Sequence, residues 1–493
     1  MNQRTRRAGH PSKANPHPTR LVVTPDFRLR PTIVGLAFVA MAATAPALHA
    51  QTTSSGSVVG ASGGGADLTI GDAPGSTGAM SVRNAEFYAG YLQVGVSGTG
   101  QLDIGDGTYF RVANTSVVGV NREGRGTVTV EGQNAWLAED DSMYVGNAGS
   151  GSVVVSNGGR LSLDRSPSTD PDLNIGVQAG APGGSVTVTG KAQSADASRL
   201  SVDNDAQVGV AGTGRLEVSD GAQASVSRNV TVGTDAGSDG TLVVSRQSAT
   251  LGVGSTTTIG DSGTGRASVI DGGRLTTSDL RIGAREGADG EVTVSSPGSS
   301  LSASGSLVVG GQGVGRLSVL GGSPVEAANV YVGESAGSVG NVLVSERNDG
   351  LRSRLTTDGQ LSVAVSGKGT MVVSRGGQAD VRQGIVVGNA VGSVGELTVT
   401  GSGSRIGTEG DLRIGKSGTA SLSVDGGGRV TAAGNASLGI DAGSRSFVSV
   451  DGSGSALSVG GKLLIGESGI GEMRVGGGGA VGASSVSLGN DPG

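Results

Sequence analysis

The 493-residue chain has no cysteine, one tryptophan, three histidines and an aromatic share of only 2%. The lack of cysteine disposes of disulfide scaffolds and thiolate metal sites. His10, His17 and His49 all lie in the first fifty residues, so positions 51–493 hold no imidazole for a serine-type triad and lack the ligand of most zinc sites. Lysine is equally scarce there, at Lys191, Lys368, Lys416 and Lys462 only. With 41 acidic and 29 basic residues, positions 51–493 carry a net charge of about −12. No basic run with interleaved aromatics is present either, which argues against nucleic acid as a partner. So few aromatics also rule out an ordinary globular enzyme core. The interior must come from Val, Leu, Ile and Ala, and at 35% hydrophobic residues the chain is too apolar for wholesale disorder.

What the chain has in excess is glycine, 94 residues without the three-residue period of collagen. The first fifty residues stand apart. Seven of them are Lys or Arg against one acid, Asp26, and this basic segment runs into the apolar stretch 33–48. They read as a signal peptide with a long basic n-region, cleaved between Ala47 and Gln51. Residues 51–66 read as a linker or N-terminal cap, and 67–493 as a single repeat region.

The repeat is an apolar-x-apolar-Gly tetrad, as in Leu92-Gln-Val94-Gly95, Val230-Thr-Val232-Gly233 and Leu412-Arg-Ile414-Gly415. It recurs from Gly71 to Gly489 about every 26 residues, with Ala364 in the one slot that lacks glycine. Short turns such as Gly95-Val-Ser-Gly98-Thr-Gly100 alternate with long ones such as Gly233-Thr-Asp-Ala-Gly237-Ser-Asp-Gly240. After each turn comes an alternating strand (Leu216-Glu-Val218), a Gly-rich corner (Asp271-Gly272-Gly273) and a third short strand (Arg274-Leu275-Thr276). Three strands and three corners in 24–27 residues make one coil of a parallel β-solenoid. Leu216 and Val218 then face the core and Glu217 faces water. The reading is therefore all-β, a parallel β-helix of about 17 coils stabilised by coil-on-coil stacking.

The pattern Gly-x-Gly-x-Leu-x-Val-x-x-Gly-Gly, then the tetrad, then Ala-Gly-Ser-x-Gly-x-Val-x-Val with a later Ser-x-Leu, resembles the tandem repeat shared by autotransporter passengers and PEP-CTERM-associated proteins. It covers roughly residues 67–493, and Trp136 sits where that family often has an aromatic before its third strand. The resemblance implies a right-handed helix, type V secretion and display at the cell surface or outer membrane, or release outside the cell. It also implies a C-terminal translocator barrel, and this chain carries no strands of about ten residues with aromatic girdles. The final corner, Gly489-Asn-Asp-Pro-Gly493, begins like Gly71-Asp-Ala-Pro-Gly75 and stops. A longer native product is expected.

Two catalytic patterns dissolve into the repeat. Gly410 to Ser417 fits the phosphate-loop expression, but Lys416 occupies a variable corner and a strand follows where a helix is needed. Gly260-Asp-Ser262-Gly263 looks like a serine nucleophile turn, yet it is the same short corner. Asp271, Asp425 and Asp451 precede corner glycines and read as turn residues. The densest acidic run, Glu139-Asp140-Asp141, with Trp136 and Tyr144 nearby, is the candidate ligand-binding set, to be weighed against a solvated loop.

Two function classes follow. The favoured one is a non-enzymatic surface fibre or adhesin, without cofactor or metal, that meets a host or bacterial surface glycan or protein or copies of itself. The alternative is a glycan-cleaving β-helix of the polysaccharide lyase or hydrolase type, which needs grouped carboxylates. Outward Ser and Thr such as Thr129, Thr187, Ser268 and Thr398 lean toward adhesion. Seven of the nine aromatics after residue 50 cluster at 87–144 and are expected to pack under the first coils and their cap.

Overall fold

The computed structural model describes residues 50–164, 171–194, 196–348 and 350–489. The expected leader, apart from Ala50, and the last corner beyond Gly489 lie outside the described residues.

Among the described residues every regular element is a strand. Each coil passes through three faces, represented by Thr213–Ser219 on face A, Gln223–Val226 on face B and Val230–Val232 on face C. Face A is a sheet of seventeen strands. Sixteen of them are parallel, and Gln51–Gly56 runs antiparallel to Thr77–Arg83 along the first edge. Val58–Val59 lies antiparallel to Leu68–Ile70 in the same way on face C. Faces B and C join into one 32-stranded sheet because Ser300–Val309 and Pro324–Val332 run through the corner between them. The architecture is thus a parallel β-solenoid of about sixteen coils. The sequence count is one higher because the first tetrad opens the first coil rather than closing one.

Alternation places the core. Leu216, Val218, Ala224, Val226, Val230 and Val232 of a single coil are all buried. Each stacks on the equivalent side chain of the next coil, Leu216 on Leu242 and Val218 on Val244. Full burial of such a side chain is worth about 1.5–3 kcal/mol, and only stacking achieves it on both sides of a coil.

The turn after each tetrad explains its glycine. Gly233 has φ of 73°, and a Cβ there would lie 2.2 Å from the carbonyl oxygen of Thr264 in the next coil. Both the left-handed backbone and the close approach disfavour a side chain. Ala364 adopts the same conformation, φ 62°, fully buried. The turns themselves stack through hydrogen bonds, the N–H groups of Gly233, Thr234 and Asp235 donating to the carbonyls of Val208, Gly209 and Val210 at 2.8–2.9 Å.

Side chains hold the other two corners. Between faces A and B, buried serines accept from a glycine N–H of the preceding coil, as Ser404 Oγ does from Gly376 (2.9 Å) and Ser455 Oγ from Gly427 (3.0 Å). Between faces B and C, the side-chain oxygen of an Asp carboxylate or Asn amide accepts from a backbone N–H of the next coil. Asp411 Oδ1 takes the N–H of Asn435, and Asn435 Oδ1 takes that of Lys462, both at 2.9 Å. Excursions that lengthen a coil leave at corners. One is the small hairpin Arg347–Asn348 with Leu351–Arg352, and another carries the bridge between Lys191 and Ala197.

Candidate functional site

The strand Trp136–Glu139 lies on face B, between Tyr109–Val112 of the preceding coil and Arg160–Leu163 of the next. Its alternation fixes which of the candidate residues reach the surface. Trp136 points outward with 36% of its surface exposed. Its indole N–H donates to Ser162 Oγ at 2.7 Å, and its ring meets Tyr109 edge-on at 5.0 Å between centroids. Tyr109 in turn meets Tyr88 at 6.2 Å, also edge-on. These rings form an outward aromatic strip that follows the coil direction.

Glu139 does the opposite. It shares the phase of Leu137, so it enters the core at the level of Val112 and Leu163. Its side chain is completely buried. Ser116 Oγ donates to Oε2 at 2.6 Å, and Oε1 has no hydrogen-bond partner among the described residues. Burial pushes its carboxyl well above the usual range, with smaller contributions in the same direction from Asp140 and Asp141, and the Ser116 hydrogen bond opposes them.

Asp140 and Asp141 sit at the corner after this strand. Asp140 accepts a bidentate pair from Arg111, Nε at 3.1 Å and Nη2 at 2.5 Å. Asp141 Oδ2 accepts from Thr115 Oγ1 at 3.1 Å. Tyr144 stands on face C between Val117 and Asn174. The five candidate residues therefore do not converge. Trp136 is outside on face B, Asp140 and Asp141 occupy the corner, Tyr144 is around it, and Glu139 is inside. Of the three carboxylates that adjoin in sequence, one enters the core and two stay at the corner, because the strand period ends at Glu139.

The expectation that the aromatics pack under the first coils needs correction. Phe87 and Phe110 do face inward, stacked at 4.7 Å, and the loop at Gly63 closes over the Phe87 ring. Tyr88, Tyr91 and Trp136 are exposed. Rings with a polar tip take the outward phase, where the hydroxyl or indole N–H reaches water or a neighbour.

The catalytic look-alikes behave as corners. Asp411–Ile414 and Thr419–Asp425 are strands, and between them Gly415 has φ of 70°. Ser417 Oγ donates to Asp441, and Asp261 pairs with Arg285 at 3.2 Å. Among the described residues no group of three or more His, Cys, Asp and Glu is placed to hold a metal ion. A shallow depression near the last coils is lined by small uncharged residues, among them Thr431, Ser458 and Ala483.

One feature of face B escaped the sequence reading. The outward position that holds Tyr109 and Trp136 is held in later coils by Arg160, Arg199, Arg274, Arg354, Arg405 and Arg429. All six are exposed. Each opens its strand one residue before an inward Leu, Ile or Val, and that pairing was the available signal.

No family model matches the chain. A stretch of 84 residues, 17% of the chain, is 37% identical to the uncharacterized lipoprotein YdeK of Escherichia coli (strain K12). The match spans only 6% of that relative's length. Among solved structures, the TibC-catalysed hyper-glycosylated fragment of TibA aligns over 82% of this chain and 99% of its own length, at 16% identity and a TM-score of 0.30. At that score the likeness carries no functional argument.

Proposed function

We propose that this chain is the passenger of an autotransporter-type export route, displayed at or released from the cell surface, and that it acts in adhesion without catalysis. The observation that carries the reading is the long stack of coils. About sixteen turns stack in parallel ladders on all three faces and present long sheet surfaces. Outward positions on face A such as Thr187, Ser268, Thr293 and Ser318 are small and hydroxylated, suited to shallow multivalent contact. The densest acidic run supports the same choice over a glycan-cleaving enzyme. Such chemistry needs two carboxyl groups facing one bond, and Glu139 is turned into the core.

The repeat pattern, the basic leader and the short stretch shared with a lipoprotein favour export, with an outer-membrane translocator barrel as the export partner. The test is expression of the full chain with its leader in a diderm host beside an outer-membrane translocator. Protease digestion of intact cells and a cell-adhesion assay are the readouts. Surface exposure with gain of adhesion is expected. A chain that stays in the cytoplasm with its leader uncleaved would overturn the export reading, and a displayed chain without adhesion would overturn the adhesin role.

A further inference from the structure

Face B carries a charge pattern that folding does not explain. Residues 51–493 are acidic overall, yet one outward column of face B holds six arginines and, among the described residues, a single carboxylate, Glu86. Arg160 lies directly beside Arg199 in the ladder, and Arg405 beside Arg429. Like charges in register on neighbouring strands are destabilising. On face A three arginines are neutralised, Arg215 by Glu217 and Arg266 by Asp239, both at 2.8 Å, and Arg316 by Asp289, while Arg125, Arg445 and Arg474 stand on separate coils without an ion pair among the described residues. On face B, Asp380 holds Arg354 and Arg405 at 3.5 and 3.2 Å. No described carboxylate lies within ion-pair distance of Arg160, Arg199, Arg274 or Arg429.

Two neighbouring features narrow the chemistry of what the column would meet. Tyr109 and Trp136 continue it at the N-terminal end, so exposed ring surface and guanidinium groups share one line. The parallel column two residues further along each strand is mostly hydroxyl-bearing, with Ser162, Ser201, Ser225, Thr276 and Ser302. Successive coils rise by about 4.8 Å, comparable to the length of one sugar ring in a linear chain. Rings that stack on sugar faces, arginines that pair with anions and hydroxyls that tolerate varied hydrogen bonding together fit a negatively charged glycan. A nucleic acid duplex fits poorly, because its phosphates run as two strands held apart by the grooves, whereas face B offers a single column of arginines flanked by hydroxyls.

We propose that face B binds a linear acidic polysaccharide, bearing carboxylate or sulfate groups, laid along the coil direction, with Tyr109 and Trp136 against sugar rings and Arg160 and Arg199 on its anions. This rests on the adhesin reading and specifies its ligand class. The test titrates the full-length protein with heparin oligosaccharides, polygalacturonate, neutral dextran and duplex DNA, read by Trp136 fluorescence and calorimetry. Heparin or polygalacturonate should bind and shift the emission, and added salt should weaken the binding. The two acidic probes separate sulfate from carboxylate preference. The doubly substituted Arg160→Ser/Arg199→Ser protein should bind about tenfold or more weakly, and the face A variant Arg266→Ser/Arg316→Ser should bind as wild type. Both alter exposed side chains, and circular dichroism checks that the coils are intact. Equal binding of DNA or dextran, equal loss in the face A variant, or no binding of either acidic glycan would overturn the proposal. Adhesion that persists unchanged in the Arg160→Ser/Arg199→Ser protein would remove this ligand while leaving the adhesin role standing.

Discussion

The glycine that closes each tetrad offers a sharp test of how the coils hold together, because Gly233 and Ala364 occupy the same structural position with opposite chemistry. Substituting Gly233→Ala puts a side chain on a residue with φ of 73°. An L-residue with a Cβ pays about 1–2 kcal/mol for that left-handed conformation. The smaller entropy of the unfolded alanine chain returns about 0.4–1 kcal/mol. The steric conflict then dominates, since the new Cβ would sit 2.2 Å from the Thr264 carbonyl oxygen and 2.5 Å from its carbon, both backbone atoms of the next coil. The two coils must separate locally, lengthening turn bonds such as that from Asp261 N–H to the Gly233 carbonyl, now 2.9 Å. A loss of about 3 kcal/mol or more is expected at this junction. Ala364→Gly runs the other way. It removes the left-handed penalty from a fully buried residue and adds unfolded-state entropy, for a net gain of up to about 1 kcal/mol.

A long solenoid does not unfold as one two-state unit, so the assay is hydrogen exchange resolved along the chain rather than a single melting temperature. Gly233→Ala should accelerate exchange of amides in residues 230–265 and leave distant coils unchanged. Ala364→Gly should slow exchange at 360–395. Unaltered protection across 230–265 in the Gly233→Ala protein would refute the argument that backbone proximity, rather than local flexibility, requires glycine there.

Other outcomes follow from single contacts. Glu139 is held with its carboxyl raised above the ordinary value of 4.5, chiefly by burial. Its contribution to stability is therefore full below about pH 4.5 and is lost as pH rises through the folded value. Exchange protection of residues 110–145 should fall over that range, and the doubly substituted Ser116→Val/Glu139→Leu protein, with both polar partners removed, should show a flatter profile and equal or greater stability at neutral pH. Ser404→Ala leaves the Gly376 N–H without its 2.9 Å acceptor in a buried corner, and should cost about 1–3 kcal/mol, seen as faster exchange of that amide. Leu216→Ala should open a cavity between adjacent coils at about 2–5 kcal/mol, read as locally increased proteolysis around residues 190–245.

Much of the fold was legible in order along the chain because its determinants are local. A strand period of two decides that Leu216 and Val218 go in and Glu217 out, and a glycine every 26 residues or so marks where the chain must turn with positive φ. The phase of Trp136-Leu-Ala-Glu139 also contained the burial of Glu139, since Leu137 fixes the inward set. That inference was masked by the charge of the run Glu139-Asp140-Asp141, which on composition alone reads as solvated. The outward turn of Tyr88 and Trp136 was equally implicit in alternation.

Only the tertiary structure decided which residues of different coils stand side by side. Excursions of unequal length interrupt the period between Arg160 and Arg199, and again around the hairpin at 347–352, so sequence spacing does not reveal that these arginines share a column. The ladder hydrogen bonds restore the register after each excursion, because an aliphatic core shifted by one residue would turn every inward side chain to water. The sequence by itself determined the coil and its inside; the stacking register, enforced by that core, determined what the outside presents.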